Sequence, residues 1–81
     1  MNIQLIQGQF KTNDAVDIIT QMVHVKIKYH EDKIQHSINE EDIKMREAKI
    51  KTLQKNLYEI RKYIEQAGTY ITIKSEIQLS E

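Results

Sequence analysis

The stretch IKMREAKIKTLQKNLYEIRKYIEQA, residues 43–67, decides the fold. Ile43, Ile50, Leu53, Leu57, Ile60 and Ile64 recur at alternating steps of three and four, with Ala67 closing the series. Arg46 occupies the one vacant place. An apolar heptad sustained this long predicts a helix that lies along another helix. The second helix of the chain is therefore expected at 40–67, ending at Gly68, a residue suited to a C′ position.

The partner helix is read from the preceding residues. Val16, Ile19, Val23, Ile27, His30 and Ile34 follow steps of three and four. Residues 23–30 also alternate apolar and polar, the period of a strand. Helix is preferred because no turn residue separates Ile18 from Tyr29. A second stripe, Ile18, Met22, Val25 and Tyr29, accounts for the alternation. Helix 14–36 follows, with Thr12, Asn13 and Asp14 offering N-cap chemistry. Ser37 to Glu40 has the spacing of a capping box, and Asn39 offers a second cap.

Outside the helices, residues 2–10 (NIQLIQGQF) and 69–79 read as strands. Ile3 and Leu5 are expected on one face of the first, Ile6 and Phe10 on the other, with Gly8 marking a bulge or a close backbone approach. The second carries Ile71, Ile73, Ile77 and Leu79 on one parity, interrupted at Ser75, with a break expected over 74–76. The tripeptide Ile-Gln-Leu stands in both strands, at 3–5 and 77–79. The fold class is α+β in the order β-α-α-β, one domain over 1–81: an antiparallel, coiled-coil-like hairpin flanked by two pairing terminal strands.

A turn near Ile38 fixes an offset in which facing residue numbers total about 76 or 77. Ile34 then meets Ile43, Ile27 meets Ile50, Val23 meets Leu53, Ile19 meets Leu57 and Val16 meets Ile60. His30 falls opposite Arg46, the only all-polar layer, with Glu31 or Asp32 placed to reach Arg46. A polar layer in an apolar seam sets register at some cost in stability.

Composition narrows function. Lys plus Arg equals Asp plus Glu, twelve each, so the net charge is zero and the field that drives non-specific nucleic-acid binding is lacking. No cysteine is present, which removes disulfides, thiolate metal sites and cysteine nucleophiles. Neither a secretory signal, a lipidation motif nor a membrane span is read, so the expected setting is cytoplasmic. A chain of this size buries roughly 60% of its unfolded surface and commonly needs help to be stable. Disulfides and a thiolate metal site being absent, oligomerisation is the expected help.

No constellation points to catalysis. His24, His30 and His36 lie six apart, so successive rings point in different directions around a helix. Asp32 and His36 share a face but make only two ligands. No metal or cofactor site is assigned. Glu40, Glu41 and Asp42 suit the dipole of a first turn, and Glu40–Lys44, Asp42–Arg46 and Glu47–Lys51 are oriented i,i+4 pairs. Tyr58, Tyr63 and Tyr70 are expected to gather near the strand end, where they could line a small-molecule pocket, although an assembly interface is the commoner use of such aromatics.

The expectation is a non-catalytic interaction or scaffold protein that associates with itself, and with a further protein as a second possibility. Its candidate interface is Ile18, Met22, Val25, Tyr29, Ile71 and Ile73; its candidate polar layer is His30 with Arg46. The alternative is a nucleic-acid-associated protein using Lys44, Lys51, Lys55 and Lys62, with Lys49 and Arg61 nearby. An enzyme with a site between subunits is the third reading.

Overall fold

The computed structural model describes all 81 residues, Met1–Glu81. Strand β1 (Asn2–Lys11) leads into helix α1 (Thr12–Gln35); helix α2 (Glu40–Gln66) leads into strand β2 (Tyr70–Gln78). The strands pair antiparallel into a two-stranded sheet, and the helices pack along each other. Residues 23–30 are helical, so the apolar alternation there reflects two stripes on one helix.

The heptad of α2 is its covered face. Ile43, Arg46, Ile50, Leu53, Leu57, Ile60, Ile64 and Ala67 are all buried or half-buried, and Asp42 is the only other residue of 40–67 that is not exposed. On α1 the stripe Val16, Ile19, Val23, Ile27, His30 and Ile34 is likewise covered. The ribbon lies on one face of this hairpin. Ile73 and Ser75 of β2 share a groove with Ile19, Met22 and Val23 of α1 and with Leu53 and Ile60 of α2.

The helix ends differ from expectation in instructive ways. Helix α1 has no side-chain cap: the chain passes from strand to helix at Lys11, whose backbone is extended. The Thr12 N–H, free at a helix start, donates to the Thr69 carbonyl at 3.1 Å. The strand pairing therefore supplies what Thr12, Asn13 or Asp14 was expected to supply. At the turn the Asn39 side chain accepts from the Glu41 and Asp42 amides at 2.9 and 3.2 Å, so Asn39 is the cap. The Ser37 hydroxyl accepts from the Asn39 amide at 3.3 Å, tightening the turn that presents it. Helix α2 ends at Ala67 in an extended conformation, and Gly68 does not adopt positive φ. A chain that must turn straight into a strand has no use for a left-handed cap.

The strand faces also need correction. The pairing runs Lys11 with Tyr70, Phe10 with Ile71, Gly8 with Ile73 and Ile6 with Ser75, then shifts by one residue to Gln4 with Glu76 and Ile3 with Ile77. Leu5 is the extra residue of a β-bulge. A bulge changes the parity of everything beyond it. Ile3 therefore joins Ile6 and Phe10 on the inner face instead of opposing them. The bulge falls at Leu5, and Gly8 is instead the one residue with positive φ, at 145°. Strand β2 is continuous through 74–76, since Ser75 pairs with Ile6.

The chain is flat, with extents of 46 × 31 × 13 Å. Its radius of gyration is 15.3 Å, against about 12 Å for a compact domain of the same length. Only Ala15, His30, Leu57 and Ile64 are buried. No helix is long and apolar enough to cross a membrane.

Candidate functional site

Two features stand out: a polar cluster in the seam, and a set of apolar side chains that the fold leaves uncovered.

His30 sits in the seam because it occupies an apolar position of α1, and it is only 5% exposed. Arg46, at the gap in the α2 heptad, donates from Nη1 to His30 Nδ1 at 3.1 Å. A guanidinium can only donate, so Nδ1 must be the unprotonated nitrogen and the ring is neutral, with its proton on Nε2. That Nε2 is buried and has no partner. Burial lowers the His30 pKa below its ordinary value of 6.5, and the positive charges of Arg46, Lys49 and Lys26 lower it further. Arg46 bonds through Nε to Asp42 Oδ2 at 3.3 Å, one turn earlier on the same helix. Glu31 and Asp32, expected to meet Arg46, are exposed; the i,i+4 carboxylate reaches it without crossing the seam. The Tyr29 ring stands edge-on to His30, with centroids 5.4 Å apart, and Arg46 lies 5.7 Å from its centre.

The other histidines take no part. His36 Nδ1 donates to the Asp32 carbonyl at 2.8 Å, which satisfies a free carbonyl at the end of α1. His24 is exposed, and no three His, Asp or Glu residues gather as a metal-binding set. Lys44, Lys51, Lys55 and Lys62 are exposed on α2, and Lys62 lies 4.9 Å over the Tyr58 ring. Tyr58 and Tyr63 line separate grooves, so the tyrosines do not share one pocket. Arg61 donates to Thr20 across the hairpin at 3.2 Å.

The uncovered apolar set is larger. Ile18 is half-buried, while Met22, Val25 and Tyr29 leave 38, 71 and 53% of their surface exposed. Ile71 and Ile73 are half-buried under the hairpin. Beyond them, Ile3, Ile77 and Leu79 continue the inner face of the ribbon where little covers it. Ile77 and Leu79 share the parity of Ile71 and Ile73 read from the sequence, whereas Ile3 reaches this face only through the bulge at Leu5, which leaves no clear mark in the sequence. An open groove of about 520 Å³ runs beside β2, lined by Ile60, Tyr63, Ile64, Ile71 and Ile73 among others.

Comparison with protein-family models, with curated proteins and with solved structures finds no match.

Proposed function

We propose that the chain is a non-catalytic interaction module that works as an assembly of its own copies. One observation carries this reading. A compact monomer of 9.6 kDa exposes about 5,100 Å², whereas this protomer exposes 6651 Å². The excess of about 1,500 Å² is as large as the total buried in a standard protein–protein interface. Exposed residues of that excess include Val25, Tyr29, Tyr63 and Leu79, the side-chain types that interfaces bury. Zero net charge allows copies to approach without mutual repulsion. The cytoplasm is the assigned setting, in keeping with a chain free of cysteine.

Sedimentation across the micromolar range tests the reading. The expected result is a mass of two or more chains that falls on dilution; a monomer throughout overturns it. Oligonucleotide binding that weakens steeply with salt would replace it with a phosphate-contacting role for Lys44, Lys51, Lys55 and Lys62.

A further inference from the structure

A two-stranded ribbon has two open edges, and they are not equivalent. The outer edge of β1 is broken by the bulge at Leu5 and by the positive φ of Gly8. Bulges blunt an edge against further pairing. The outer edge of β2 is regular over Tyr70–Gln78, with no bulge on that strand and no proline.

Which groups that edge offers follows from the inner ladder. Leu79 exchanges both backbone hydrogen bonds with Met1, at 2.7 and 2.9 Å, and the Thr69 carbonyl accepts from Thr12. Odd-numbered residues of β2 thus turn their backbone groups toward β1. By alternation, Tyr70, Thr72, Lys74, Glu76 and Gln78 turn theirs to the open side. Each is a donor and acceptor pair awaiting a strand.

We infer that the occupant of this edge is the β2 strand of a second copy, antiparallel and centred on Ser75. The inference rests on the self-assembly reading above and specifies its geometry. A two-fold axis perpendicular to the sheet keeps side chains on their own face, so it must pass beside one residue that meets itself. Centring on Lys74 sets lysine against lysine, and centring on Glu76 sets glutamate against glutamate. Like charges directly opposite are destabilising. Centring on Ser75 sets Lys74 against Glu76 of the second copy twice over, with the small hydroxyl side chains at the axis.

The same register sorts the rest of the strand. Ile73 meets Ile77 of the second copy, and Ile71 meets Leu79, all on the inner face. Thr72 meets Gln78 on the outer face. Extended through the known β1 pairing, one inner row reads Phe10, Ile71, then Leu79 and Met1 of the second copy. The next reads Gly8, Ile73, then Ile77 and Ile3. The outer rows read Gln9, Thr72, Gln78 and Asn2, and Gln7, Lys74, Glu76 and Gln4, with Lys11 and Tyr70 at the end of the strands. The product is a four-stranded sheet, apolar on one face and polar on the other.

Ile77 and Leu79, 38 and 56% exposed in the protomer, then lie beside Ile73 and Ile71. Those two residues line the open groove with Ile60, Tyr63 and Ile64. The groove is where the second copy's overhanging side chains would seat. Four strands with a covered face are also independently stable where two are not.

The test uses the full chain. Ser75→Cys places two thiols across the axis in a non-hydrogen-bonded pair, whose Cα separation of about 4.5 Å suits a disulfide. Mild oxidation is expected to yield a covalent dimer, and Lys55→Cys, on the lysine side of α2, is expected to stay uncrosslinked. Lys74→Glu and Glu76→Lys should each weaken self-association by about tenfold, from two reversed cross-strand pairs. Mixing the two variants should give the heterodimer almost alone by native mass spectrometry. A dimeric mass without Ser75→Cys crosslinking, or a statistical mixture of the two charge variants, overturns the β2 pairing and leaves self-assembly standing. A monomeric mass overturns both.

Discussion

Truncation of Ile64 to alanine probes the seam where it is most completely closed. Ile64 is 2% exposed, the least of any large side chain, and it lies on the heptad face of α2 at the strand end. Ile→Ala removes three carbons, worth about 2.4 kcal/mol at about 0.8 kcal/mol for each buried methylene. A residual cavity adds to this, but the open groove beside Ile64 lets neighbours or water relax into the space. The expected cost is therefore about 3 kcal/mol, toward the low end for such truncations. For a chain of this size total stability is roughly 4–12 kcal/mol, so a large share is lost. The melting temperature should fall by roughly 15 °C. Lys55→Ala is the control, since Lys55 is exposed on α2 and lies outside the proposed interface; it should cost under about 0.5 kcal/mol. Urea unfolding followed by circular dichroism, at one protein concentration, compares the two. The midpoint should move with little change in slope. If Ile64→Ala proves no more damaging than Lys55→Ala, the covered seam is not what holds the hairpin together.

Acid should weaken the fold through His30. Its folded pKa lies below the ordinary 6.5, so the unfolded chain takes up the proton more readily. The contribution is fully present above pH 6.5 and is lost as pH falls below it. Melts from neutral to mildly acidic pH should show this slope, and His30→Leu should flatten it; an unchanged slope assigns the effect elsewhere. His30→Leu with Arg46→Leu should unfold at higher temperature than the wild type, because the unpartnered Nε2 and the half-buried guanidinium are removed together. Asn39→Ala should cost about 1 kcal/mol by removing the α2 cap, while Asn39→Asp should retain most of it in the same denaturant assay. Gly8→Ala should destabilise by about 1 kcal/mol or more although a Cβ there meets nothing within 4 Å, because φ of 145° suits glycine alone. An Ala variant as stable as the wild type would mean that the ribbon relaxes around that residue.

The helices were legible because periodicity is a local property. Steps of three and four in residues 43–67 mark the face that α2 covers, and the matching series on α1 follows from the short turn at Ile38. His30 and Arg46 could be set opposite each other on that basis, and they lie in hydrogen-bond contact at 3.1 Å. Glu31 and Asp32 were placed to reach Arg46 as well as its i,i+4 partner Asp42, and spacing does not say which of these acids has the shorter path. Asp42, already an i,i+4 neighbour, has it.

What the sequence by itself determined is the hairpin: its two seams, its turn and the polar layer between them. The two pairing terminal strands were legible as well; the tertiary structure decided the register of their ribbon. Only pairing with β2 reveals the extra residue at Leu5, which carries Ile3 to the face of Ile6 and Phe10. Only the Thr12 to Thr69 bond shows why α1 begins without a cap. Strand faces depend on register, a relation between residues about seventy apart in the chain, and one inserted residue inverts them. A heptad needs only its own neighbours to declare its inner face.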